Sequence, residues 1–346
     1  MMLRRFVLVA ALGVIVIATA WVTDTVQSTR AAYLEWQWGI LRTPRVSPDG
    51  RVLAFGLNGK VWRLPRGAPP RVVGQGYVMD TSVSIGGRVL AFVTLRPRSE
   101  AAYAVGPAGA RLVSLGRGQE IRVSPTGRQV AVYYCGRVRV AASGGGTQGQ
   151  ACAGALTYIS QPWALGEQAL VLRRDGGLVV WRLGTHATQQ LGPCARPQCA
   201  SVSPDGSRLA VVTYAGSASV LRLVSLPDGQ ETERRDLPSP VWYCPNLEWR
   251  ADGTGFAIFV ARPPGYENAV LVYDVGSGRL DTWPRLPPDA FLIGWSDTGR
   301  LLVGRDRELL AISEDGRWEQ LISCDRLSLQ DREAFREAVR LFPWPK

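Results

Sequence analysis

The sequence predicts an all-β protein, a β-propeller of seven four-stranded blades with an N-terminal apolar helix and a short C-terminal helix. Two observations carry this. A turn phrase centred on Ser-Pro-Asp-Gly recurs in seven full or degenerate copies whose starts lie 37 to 47 residues apart. Each copy leads into an apolar or alternating run of strand length, and a blade of four strands takes roughly 40 to 45 residues. Composition agrees. The chain has 346 residues, 46% apolar and 20% charged, with 38 Gly and 23 Pro, which excludes wholesale disorder, collagen and a polytopic membrane protein.

The first element is the segment 1–30, read as a signal peptide or a membrane anchor. Arg4 and Arg5 precede seventeen uncharged residues from Phe6 to Val22, the pattern of a positive flank and an apolar core. Ala18-Thr19-Ala20 supplies small residues at cleavage-site spacing, yet the apolar run also reaches the lower edge of a spanning helix. The reading favours an uncleaved anchor, with the two arginines cytoplasmic and the rest of the chain exported. Residues 31–323 form the propeller. Tyr33 to Leu41 precede the first repeat and are expected to supply an outer strand that closes the ring against the last blade.

Four copies of the phrase are clear: Val46-Ser47-Pro48-Asp49-Gly50, Val83-Ser84-Ile85-Gly86-Gly87, Val123-Ser124-Pro125-Thr126-Gly127 and Val202-Ser203-Pro204-Asp205-Gly206. Three degenerate copies begin at Trp163, Trp249 and Trp295. Pro pre-sets φ in the turn, Asp tolerates the next position and Gly supplies positive φ, so the phrase closes a hairpin. The runs after it, such as Arg208 to Thr213, and later runs such as Ala269 to Val275, read as strands buried between blades. The last element, 324–346, is a tail with an amphipathic helix from Ser328 to Leu341. Leu327, Ala334, Phe335, Ala338 and Leu341 share one stripe, expected to pack on the propeller rim.

The Ser-Pro-Asp-Gly-x-x-Leu-Ala units resemble the TolB-type, WD40-like (PD40) propeller repeats across roughly residues 33 to 323. That resemblance implies the fold. Members of this group range from envelope scaffolds to non-catalytic domains of peptidases, and no α/β-hydrolase domain accompanies the repeats here. A peptidase activity is therefore not implied.

The residues bearing chemistry are few. His186 is the sole histidine, which removes His-rich zinc sites and two-His facial triads, and Gly-x-Ser-x-Gly is absent. No metal or cofactor is implied. Asp49, Asp205, Asp252 and Asp297 lie in the repeated turn and read as turn formers; Ser313 to Trp318 reads as a hairpin turn. The six cysteines, Cys135, Cys152, Cys194, Cys199, Cys244 and Cys324, are an even set that an oxidising compartment could pair, and none forms a Cys-x-x-Cys motif. Cys194 with Cys199 is the best local pair, Cys244 with Cys324 would tie the last two blades, and Cys135 with Cys152 is the remainder. Blade topology places Cys152 near one face and the other five on the opposite face.

Charge is uneven. Of 40 basic residues 38 are Arg; residues 1–200 hold 23 basic and 8 acidic residues, and 201–346 hold 17 and 21. One part of the surface is expected to be strongly positive. The sequence thus points to a membrane-anchored, extracytoplasmic, non-enzymatic binding scaffold. Its partner is another envelope or secreted protein, or an acidic polymer or lipid surface; nucleic acid is excluded by the exported location. The alternative is a carbohydrate-active or other hydrolytic propeller using carboxylates with Tyr and Arg around the central channel.

Overall fold

A computed structural model describes residues 42–323. Within that range residues 58, 67, 69, 97–98, 107–111, 146–149, 193, 195, 216–217, 238–242, 263–266, 284–285, 287–289 and 306–307 fall outside the description. Twenty-eight strands, β1 to β28 in chain order, form seven four-stranded antiparallel sheets of consecutive strands. Among the described residues there is no α-helix, only a single 3₁₀ turn at Ile85–Gly87, and no helix long and apolar enough to cross a membrane. The apolar segment Phe6 to Val22, the strand expected from Tyr33 to Leu41 and the tail 324–346 all lie outside the described residues.

The first strand of each blade is innermost: β1 (Arg42–Val46), β5 (Tyr77–Val83), β9 (Glu120–Val123), β13 (Trp163–Ala164), β17 (Pro197–Val202), β21 (Tyr243–Trp249) and β25 (Ala290–Trp295). β1 packs on β5 and β25, β5 on β9, and β17 and β25 on β21. The chain runs outward through each blade, so two faces result. The upper face carries the repeated turns and the third-to-fourth-strand turns. The lower face carries the second-to-third-strand turns and the connections between blades.

Packing explains the sequence pattern. A strand's side chains alternate between its two faces, and each blade is covered on both. In β2 (Val52–Leu57), Val52 and Ala54 join the core shared with blade 2, while Leu53, Phe55 and Leu57 join the core shared with blade 7. In β22 (Gly255–Arg262), Phe256, Ile258 and Val260 face blade 5 while Ala257 and Phe259 face blade 7. Seven apolar clusters result, one at each interface between neighbouring blades. Two-sided burial is why the middle strands read as continuous apolar runs rather than clean alternation.

The repeated turn works as its chemistry predicts, with one addition. The buried Ser47 hydroxyl accepts the Val52 amide at 3.0 Å, and Ser84, Ser124, Ser203 and Ser296 accept the corresponding amides in their own blades. Turns also clasp their neighbours. The Gly86 amide donates to the Asp49 carboxylate at 2.9 Å, Ile85 N–H to the Pro125 carbonyl at 2.9 Å, and Leu165 N–H to the Gly206 carbonyl at 2.9 Å. At the closing seam the Asp297 amide donates to the Gly50 carbonyl at 3.3 Å, and Arg66 pairs with the Asp297 carboxylate. Blades 1 and 7 each draw all four strands from their own segment, residues 42–75 and 290–323. Among the described residues the seam is held by packing and turn contacts.

The cysteine pairing differs from the sequence expectation. Cys199 bonds to Cys244, with Cα atoms 5.7 Å apart, because both stand near the lower ends of adjacent inner strands, β17 and β21. Cys194, by contrast, points into the core of blades 4 and 5 and is a buried free thiol. The pairs Cys194–Cys199 and Cys244–Cys324 are therefore not formed, and Cys324 itself lies outside the described residues. Cys135 and Cys152 are free thiols too. Cys152 sits opposite Val138, one residue from the start of β11 (Arg137–Ala142), which puts it on the lower face with Cys135 rather than across the ring. Bridging residues 45 apart stabilises by about 4 kcal/mol in the chain-entropy view.

Gly50 tests the seam. Its φ is +71°, and a Cβ there would stand 2.2 Å from the Asp297 amide nitrogen; Gly136 has φ +79° but open space around it. Gly136→Ala is expected to cost about 1–2 kcal/mol from the left-handed backbone alone. Gly50→Ala should cost clearly more, read as the difference in urea midpoints between the two variants.

Candidate functional site

The channel is lined by the side chains that alternate inward from the seven first strands, and several of these are charged. Arg122 and Asp80, both more than nine-tenths buried, pair at 2.5 Å. Arg122 also donates to the carbonyls of Ile121 at 2.7 Å and Ile159 at 3.2 Å. Asp80 accepts the amides of Thr81 at 3.0 Å and Ile121 at 2.9 Å. Across the ring Arg45 pairs with Glu248 at 3.2 Å. Ser160 Oγ donates to Asn246, whose Nδ2 donates to the Leu292 carbonyl at 3.0 Å. At the lower end Thr157 Oγ1 donates to Glu120 at 2.5 Å.

These groups share one electrostatic field of three carboxyls and two guanidiniums. Burial pushes Glu248 above the usual carboxylate range against the pull of Arg45, and pushes Glu120 up against the pull of Arg122. Burial also lowers Arg45, with Arg122 adding to it. Burial of one more carboxyl than guanidinium thus favours the protonated form of Glu120 and Glu248 relative to a solvated carboxyl. Removing one partner of a buried pair typically costs about 3–5 kcal/mol, so the network holds the inner strands in one arrangement.

The upper part of the channel is rimmed by Pro48, Pro125 and Pro204, the prolines of three repeated turns, and encloses about 60 Å³ of water-accessible space. That holds a few ordered waters; small-molecule sites usually run to about 300 Å³ or more. Among the described residues no cluster of His, Cys, Asp and Glu could hold a metal ion.

The carboxylates of the repeated turns act as turn formers. Asp49 accepts from Ser47 at 2.6 Å and reaches blade 2, Asp205 accepts from Ser203 and Ser207, and Asp252 accepts from Thr254. Asp297 serves the seam. Ser313 to Arg317 is a hairpin turn with Gly316 at φ +81°. His186 is exposed in the turn between β15 (Gly177–Arg182) and β16 (Thr188–Leu191). Burial lifts the Cys194 thiol to about 12, so it is inert as a nucleophile at neutral pH.

Part of the charge asymmetry of the sequence lies on the lower face of blades 2 to 4. Arg117 ends β8 (Val113–Arg117), Arg137 opens β11, Arg174 ends β14 (Ala169–Arg174), and Arg196 lies in the connection to blade 5; all four are exposed. Tyr158, 41% exposed, stacks under the Arg173 guanidinium at 5.3 Å, and Tyr134 under that of Arg117 at 6.0 Å. The segments bearing them are hydrogen-bonded together: Gln119 N–H to Tyr133, Gly154 to Gly136, Ala155 to Arg173, Ala200 to Tyr158 and Arg196 to Gly176. The patch is therefore one continuous surface.

The sequence matches no family profile and no curated protein. Among solved structures, the chain is similar to one in the mitotic checkpoint complex (14% identity, 81% of this chain and 86% of that one, TM-score 0.57). It is also similar to U3-55K (13% identity, 82% and 92%, TM-score 0.55). A further similarity is to TolB from Acinetobacter baumannii (14% identity, 81% and 62%, TM-score 0.49). At such identities the first two bear on the fold, a seven-bladed propeller, and on nothing finer.

The channel carboxyls set a pH dependence. A carboxyl whose folded pKa is raised holds its proton longer in the folded state, so its contribution is full below its unfolded value and is lost as pH rises through the folded one. From about pH 4.5, the ordinary value for Glu, towards neutrality, Glu120 and Glu248 should pull stability down. Glu120→Gln keeps an acceptor for Thr157 and is expected to flatten this decline in urea midpoints measured across that range; curves parallel to the parent would contradict it.

Proposed function

We propose that this chain is a membrane-anchored, extracytoplasmic β-propeller of the TolB-like, PD40-type class that acts as a binding scaffold for another protein of the cell envelope. The single observation that carries the reading is where the polar chemistry lies. The channel charges are turned on one another around space for a few waters, whereas on the lower face of blades 2 to 4 exposed arginines stand beside tyrosines that stack under Arg117 and Arg173. Rigid rings that present loops and turns on a face suit recognition of another macromolecule. Met, Tyr and Arg are the residues by which interface cores differ from ordinary surface.

The anchor reading rests on Arg4, Arg5 and the uncharged run Phe6 to Val22. The Cys199–Cys244 bridge supports an oxidising location. A hydrolytic reading draws less support. Inverting carboxylates need room for water and a sugar between them, and Glu248 and Asp80 are each occupied by a guanidinium.

The test is fractionation and crosslinking in the native host. Full-length chain is expected to remain with carbonate-washed membranes, a variant lacking residues 1–30 to leave them, and in-cell crosslinking to yield one envelope protein near stoichiometry. A full-length chain that stays in the cytosolic fraction, or crosslinks only to background proteins, would overturn the proposal.

A further inference from the structure

We infer that the lower face of blades 2 to 4 is a docking surface for an acidic segment of a protein partner. This rests on the scaffold reading and assigns its face and the chemistry of its ligand. The first support is charge. Among the described residues Arg137 and Arg196 have no ion-pair partner, and Arg174 meets only its exposed neighbour Asp175 at 3.3 Å. Unpaired guanidiniums on turns of one hydrogen-bonded face offer forked donors to carboxylates.

The second support is preorganisation. Arg117 and Arg173 are held over the rings of Tyr134 and Tyr158, and Arg117 Nη1 also reaches the Tyr134 hydroxyl at 3.4 Å. A guanidinium already laid on a ring loses less freedom on binding. The same face carries Met79, 39% exposed in β5, the inner strand of blade 2, so it combines arginine with the apolar and aromatic residue types found in interface cores.

The third support is extent. The patch stops at blade 5, where the residue that ends the fourth strand is the exposed Asp236 in β20 (Glu231–Asp236), the position Arg117 takes in blade 2. Beyond blade 4 the lower face is mixed in sign, with exposed Asp236 on blade 5 and exposed Arg305 on blade 7, and a flat anionic bilayer would have to meet all of it. A single acidic segment meets only the positive sector, and this favours a protein ligand over a lipid one.

The experiment uses the detergent-solubilised full-length chain and a fluorescein-labelled oligoglutamate peptide, read by anisotropy. Two charge reversals are compared: Arg137→Glu with Arg196→Glu on the lower face, and Arg88→Glu with Arg128→Glu on the upper. All four side chains are exposed, and matched thermal melts establish that both variants fold. The parent should bind the peptide, the lower-face variant at least about tenfold more weakly, and the upper-face variant within about twofold of the parent. Equal weakening by both reversals, absence of peptide binding, or binding confined to phosphatidylglycerol vesicles would each overturn the inference. If the crosslinked envelope partner is still recovered in any of those cases, the scaffold reading stands and only its face or ligand chemistry fails.

Discussion

Every blade of this protein has two apolar faces, and neither can be covered from within the blade. Covering them all requires a closed ring, so the seam between the first blade and the last bears on the whole structure. That seam has no shared strand among the described residues. Phe55, Leu57 and Trp62 from blade 1 meet Ile293, Leu302 and Leu309 from blade 7. Above them the turn at Gly50 is clasped to the turn at Asp297, and Arg66 adds an ion pair. Burying a large apolar side chain is worth about 1.5–3 kcal/mol, while the clasp fixes how far the ring closes. Gly50 is required there twice, for its positive φ and because the neighbouring backbone leaves no room for a Cβ.

Closure dictates what the centre can be. Seven inner strands converge, and their inward side chains must fill or hydrate the space between them. The chain fills it with charge arranged in pairs. Asp80–Arg122 and Arg45–Glu248 bind inner strands of different blades to one another, and Arg122 reaches on to the Ile159 carbonyl ahead of blade 4. Such a network favours one arrangement of the ring more than it adds net stability. With the centre committed, the binding role proposed above falls to the faces. The upper face carries clasps between turns beside exposed arginines such as Arg88 and Arg128, and the lower face of blades 2 to 4 carries exposed arginines beside tyrosines that stack under Arg117 and Arg173.

The sequence pattern made the architecture legible because the turn chemistry is local: Ser47, Pro48, Asp49 and Gly50 need only one another to define a hairpin. The degenerate copies were readable in outline, yet their common feature had a meaning that local reasoning missed. Trp163, Trp249 and Trp295 replace the Val of the other copies, and each indole donates to a carbonyl of the preceding blade's inner strand. The channel residues were equally silent. Arg45, Arg122 and Glu248 stand one residue before the repeated phrase, and Asp80, Glu120, Ser160 and Asn246 stand three before it. Aligning the copies one strand upstream, with a period of two, would have exposed them. The disulfide was not legible at all, since Cys199 and Cys244 meet only through the neighbouring positions of two inner strands. Cys194 misled through proximity in sequence.

Native-state hydrogen exchange addresses the seam most directly. The middle strands of blade 1, β2 and β3 (Lys60–Pro65), and of blade 7, β26 (Leu301–Arg305) and β27 (Glu308–Ile312), flank the closure. Their amides are predicted to be protected as strongly as those of β18 (Arg208–Ala215) and β22, which flank the disulfide-bridged interface, because all open only with the whole ring. Protection in blades 1 and 7 that is lower by orders of magnitude, with blades 5 and 6 still slow, would mean that the ring opens at its seam. That result would contradict a ring whose blades open only together.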